Sequence, residues 1–130
     1  MNNARFRAPL KNVKGLGAAK AGTGHFIHQR MTGIALIPLV FLFMCFLLRL
    51  IGAHSYAEVV DQLSNPFWAT TLIAFIVAGF YHGALGIQVI IEDYIHAEIP
   101  KMLLLVALKM VASFLVIMGS LSVLFIALGQ

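Results

Sequence analysis

PFWATTLIAFIVAGFYHGALGIQVII fills residues 66–91 without a single Asp, Glu, Lys or Arg. Wound as a helix, this run is apolar on almost every face, whereas a helix packed on a soluble core keeps a polar stripe. At about 1.5 Å of rise per residue it is long enough to cross the roughly 30 Å of hydrocarbon in a bilayer. Two more such runs flank it, so transmembrane helices are expected over about 27–51, 67–92 and 101–127. The composition agrees: 61% of the 130 residues are hydrophobic and 11% charged, against about half and about a quarter in soluble domains. The runs lack the alternation that a membrane β-barrel would demand. The expected fold is therefore all-α, a three-helix integral membrane protein forming part of a larger helical bundle.

Charge sets the expected orientation. Arg5, Arg7, Lys11, Lys14, Lys20 and Arg30 fall in the first thirty residues with no acid among them, while residues 52–66 hold Glu58 and Asp61 and no basic residue. The positive-inside bias puts the N-terminus in the cytoplasm and, after three crossings, the C-terminus in the periplasm. Residues 1–24 are read as a basic cytoplasmic tail on the membrane surface or a partner, and 25–130 as the anchor domain. The glycines of the tail argue against an amphipathic mitochondrial presequence, and the first apolar run starts too late for a secretory signal. A bacterial inner membrane is the expected location, with lipid and other membrane subunits as partners and no nucleic acid. Cys45 is the only cysteine, so this chain can form no internal disulfide and cannot hold an iron-sulfur cluster alone.

Local signals place the helix ends. Thr23-Gly24 is expected to cap the first helix, Asn65-Pro66 to begin the second, and Ile99-Pro100 to close the connection before the third. Pro38 lies within the first helix. Small residues form two stripes, Gly79 to Gly83 and Ala112 to Ser120, read as surfaces for neighbouring subunits. Lys109 is expected to extend towards the cytoplasmic headgroups. His25 and His28 are expected at the interface, and His54 and His96 in the exposed connections.

His82 is the residue that lipid cannot explain. An unpaired polar group in hydrocarbon costs several kcal/mol, and ionisable groups there are usually functional. A neutral imidazole bonded to a helix carbonyl or hydroxyl is one reading. Gly79 and Gly86 offer another: they share its face and leave bare backbone where a flat macrocycle could lie, with a ring nitrogen on its iron. Such a haem b needs a second strong axial ligand, from another subunit. Eleven residues on, Asp93 returns to within about 20° of the same face, about 16 Å away, at the cytoplasmic boundary beside Tyr94. There Tyr94 is either an ordinary interfacial aromatic or a hydrogen-bond donor to a quinone, with Asp93 supplying protons. Arg30 is expected at the same depth, near a haem propionate, a quinone head or a lipid phosphate.

The pattern His82, Gly86, Gln88, Asp93-Tyr94, with HFIHQRMTGIAL at residues 25–36, resembles the small D-type cytochrome b membrane anchors of succinate dehydrogenase. The resemblance implies that His82 is an axial ligand to haem b and its iron, that Tyr94 binds ubiquinone, that Asp93 shapes that site and its proton supply, and that Arg30 lies near the propionates and quinone. It implies three partners: a larger cytochrome b anchor subunit bringing the other haem ligand, an iron-sulfur subunit, and a flavoprotein that oxidises succinate with FAD. On this reading the chain carries no dicarboxylate chemistry itself. An anchor of quinol:fumarate reductase, another small membrane cytochrome, or a non-redox assembly or transport subunit remain the alternatives.

Overall fold

The computed structural model describes residues 22–129, and the expectations made for the tail before residue 22 lie outside them. Four helices follow in order: α1 (Gly22–Ile51), α2 (Tyr56–Ser64), α3 (Pro66–Tyr94) and α4 (Glu98–Ala127). Three of them, α1, α3 and α4, are long and apolar enough to span a bilayer, as the apolar runs required.

The ends differ from expectation at several points. Thr23 and Gly24 lie inside α1, not at its cap. α4 starts at Glu98, which puts Pro100 in its first turn. Proline is tolerated there because the first amides have no intrahelical acceptor, and Glu98 complements the dipole. At α3 the expectation holds: Pro66 opens the helix and the Asn65 side chain accepts from the Phe67 amide at 2.9 Å.

α2 was not anticipated. Ser55 caps it by accepting from the Glu58 amide at 3.3 Å, while the Glu58 carboxylate accepts from the His54 amide at 2.9 Å. This reciprocal pairing is close to a capping box, whose S-x-x-E signature stands in the sequence as Ser55 and Glu58. Val59, Val60 and Leu63 turn inward, Glu58 and Asp61 stay exposed, and Gln62 donates to the Arg49 carbonyl at 3.4 Å. The short helix thus covers the end of α1 and rests on α3 and α4.

α3 is the central element, packed on α1 and on α4. Towards the α2 end, Phe43 of α1 stacks on Phe75 of α3 with centroids 4.5 Å apart, and Phe46 packs on Trp68 at 5.5 Å. On the other flank, a β-carbon at Gly119 would come within 3.3 Å of Ile76. That part of the α4 stripe is used inside the chain, correcting its assignment to another subunit.

Only Phe46, Ala69, Thr71, Leu72 and Leu85 are buried among the described residues, and α4 contributes none. Between helices in lipid, association comes from close packing and hydrogen bonds, since acyl chains are as apolar as leucine. Phe46→Ala, which removes a ring only 3% exposed, is therefore expected to cost about 2–3 kcal/mol through lost packing. Thermal denaturation of the assembled complex in mild detergent measures it.

Candidate functional site

α1 and α3 cross through a strip of polar and small residues. On α1 these are His25, His28, Gln29, Thr32 and Gly33, spaced three or four apart and hence on one face. On α3 they are Tyr81, His82 and Gly86.

His82 is half-buried, and its imidazole lies against α1. Its Nδ1 is 3.0 Å from the Thr32 hydroxyl, and a β-carbon at Gly33 would sit 3.4 Å from its Cε1. No described residue forms a hydrogen bond with Nε2. The glycines expected to frame the ring behave differently from each other. Gly79 faces open space, whereas Gly86 is met by Gln29, whose Nε2 would lie 3.7 Å from a β-carbon there. The glycine in contact with the imidazole is Gly33, on the other helix.

Around this pair the polar strip is incompletely bonded. Tyr81 and His28 make a T-shaped pair at 6.3 Å, with the phenol oxygen 3.3 Å from the His28 Nδ1. His25 Nε2 and Gln29 Oε1 are buried without a hydrogen-bond partner. Both lie on the side of His82 that leads to Asp93.

Asp93 and Tyr94 end α3 and are exposed, Tyr94 by 79%. Their backbone is held by the turn that follows: His96 Nδ1 is 3.2 Å from the Tyr94 carbonyl oxygen, and Lys101 donates to the Glu92 carbonyl at 3.4 Å. Gln88 donates to the Glu92 carboxylate at 2.7 Å. Glu92 is thus occupied, while no described residue hydrogen-bonds the Asp93 carboxylate or the Tyr94 phenol.

Arg30 is exposed and does not contact Asp93 or Tyr94; its guanidinium lies over the Phe26 ring, 4.8 Å from the centroid. The antiparallel pairs Thr32–His82 and Gln29–Gly86 put the Arg30 backbone level with residue 85, about 12 Å along the bundle from Asp93. Stacking on Phe26 turns the side chain back towards the Asp93 end, recovering about one turn of that distance. His54 and His96 are exposed as expected, and so is Lys109.

The grooves lie elsewhere. The larger, of about 580 Å³, runs between α3 and α4 past Phe80, Tyr81, Gln88, Lys109 and Ser113, and does not include Asp93 or Tyr94. A ligand held by that pair would need walls from another chain.

Comparison with known proteins places these residues in context. The family model for the succinate dehydrogenase/fumarate reductase transmembrane subunit matches residues 4–118. The chain is 33% identical over 108 residues to a succinate dehydrogenase hydrophobic membrane anchor subunit of Rickettsia bellii, covering 81% of this chain and 83% of that one. It is 32% identical over 97 residues to the protein of that name from Paracoccus denitrificans, covering 75% and 74%. A succinate dehydrogenase membrane anchor subunit of Reclinomonas americana is 30% identical over 95 residues, covering 72% and 79%.

Proposed function

The chain belongs to the family of succinate dehydrogenase/fumarate reductase transmembrane subunits, and on that premise we propose that it contributes one axial ligand to a haem b and one wall of a ubiquinone site. Its coarser role is that of a multi-pass membrane anchor subunit of succinate dehydrogenase. The observation that carries the finer reading is the state of His82: one ring nitrogen is engaged by Thr32, one ring edge rests on Gly33, and Nε2 has no described protein partner.

That donor fits haem iron, which takes imidazole nitrogen as an axial ligand, and the open backbone at Gly79 lets a flat group approach α3. The second axial nitrogen comes from the larger cytochrome b anchor subunit. Haem b, when bound, supplies a one-electron store within the membrane.

At the cytoplasmic end the residues of this chain act on the quinone. The Tyr94 phenol donates a hydrogen bond to a quinone carbonyl oxygen, and the Asp93 carboxylate relays protons from the cytoplasm as reduction consumes two of them. Arg30 anchors a propionate or the quinone head. The exposure of Tyr94 in the isolated chain supports a pocket completed by the iron-sulfur subunit, which receives electrons from the FAD-bearing flavoprotein. The basic tail holds the N-terminus in the cytoplasm of a bacterium and leaves the C-terminus in the periplasm.

Since the family description covers fumarate reductases too, comparing succinate oxidation with fumarate reduction in native membranes assigns the direction. The proposal is tested by isolating the tagged chain gently from its own membrane. We expect a b-type absorption spectrum, FAD, iron-sulfur clusters and three companion subunits; a complex lacking haem and quinone would overturn the assigned roles.

A further inference from the structure

The two ring nitrogens of His82 are chemically distinguished by a residue that the helical spacing around His82 did not reveal. Thr32 Oγ1 lies 2.8 Å from the His28 carbonyl oxygen, 3.1 Å from that of Gln29 and 3.0 Å from His82 Nδ1. Carbonyl oxygens only accept, so the single hydroxyl hydrogen goes to the His28 oxygen, the usual back-bond of a helical threonine. The hydroxyl then presents a lone pair to Nδ1, which must carry the ring proton. The reverse arrangement would leave Oγ1 against two carbonyl oxygens with no hydrogen between them. With the proton on Nδ1, the free lone pair is on Nε2.

We infer that Thr32 is a positioning residue for the iron ligand: it fixes the His82 tautomer and ring plane, and by accepting from Nδ1–H it strengthens Nε2 as a donor. This rests on the haem reading of His82. Gly33 assists by leaving van der Waals space for Cε1, so the ring lies flat against α1 within reach of Thr32. A stronger imidazole donor favours ferric over ferrous iron. The hydrogen bond therefore both retains the haem and lowers its reduction potential, as outer partners of metal-bound histidines do.

The test uses the intact complex carrying Thr32→Val, which keeps the shape of the side chain and removes its acceptor, alongside Thr32→Ser, which restores it. Thr32→Val should lower haem affinity by about 10–100-fold. It should also raise the midpoint potential, by about 59 mV for each tenfold loss of ferric-over-ferrous affinity. Thr32→Ser should return both to their original values. Wild-type affinity and potential in Thr32→Val would overturn the inference, and so would an equal shift in both variants, which would point to packing of the methyl group. If Thr32→Val does not assemble, Thr32→Ala replaces it with the same expectations. Failure of the underlying reading looks different: the unaltered complex would hold no haem, or His82→Ala would retain it, and the role of Thr32 would fall with it.

Discussion

Replacing His82 by alanine should strip the purified complex of its b-type absorption. Losing only an outer partner of a metal-bound histidine costs about 10–100-fold in affinity, and losing the ligand itself should exceed that. The substitution also leaves the Thr32 hydroxyl without its partner on α3, though that oxygen keeps its back-bond to the His28 carbonyl. α1 and α3 still meet through Phe43, Phe46, Phe75 and Trp68, so the chain should insert and assemble. Succinate oxidation by a soluble artificial acceptor should persist, because that chemistry belongs to other subunits. An unchanged haem spectrum in this variant would remove His82 from the ligand set.

The second large effect belongs to Tyr94. Tyr94→Phe deletes one O–H from a side chain that is 79% exposed in the chain alone, so its consequence should be functional. Placed hydrogen-bond donors and proton-transfer groups are each worth about 10²-fold or more in rate. Ubiquinone reduction should fall about 10²-fold, close to 2.7 kcal/mol of barrier, with haem absorption and soluble-acceptor activity intact. Asp93→Asn should act on the same step through proton supply, seen as an enlarged solvent isotope effect on quinone reduction. Quinone kinetics indifferent to Tyr94→Phe would leave the residue an interfacial aromatic.

What could be read from the sequence followed the periodicities a single helix imposes. The three spans are written in uninterrupted apolar runs, and Asn65-Pro66 marks the start of α3 unambiguously. α2 was missed because nine residues cannot show a strong period, although its Ser55 and Glu58 cap was visible. His82 stood out because a polar ring within lipid needs a partner. Its actual neighbours, Thr32 and Gly33, did not stand out, for the register between two helices is set by tertiary packing and leaves no trace in either helix's own spacing. Gly86 illustrates the same limit: it shares a face with His82, yet Gln29 covers it. Arg30 was expected level with Asp93, but that same register sets its backbone about 12 Å away.

The scarcity of interior in this chain bears on how much of it a cell can hold. With most of α4 turned outward and His25 and Gln29 carrying unanswered polar atoms, a copy inserted without companions is an unfinished intermediate, open to membrane proteases. Its abundance should then follow the rarest member of the assembly, so that deleting any one companion gene depletes this polypeptide without touching its synthesis.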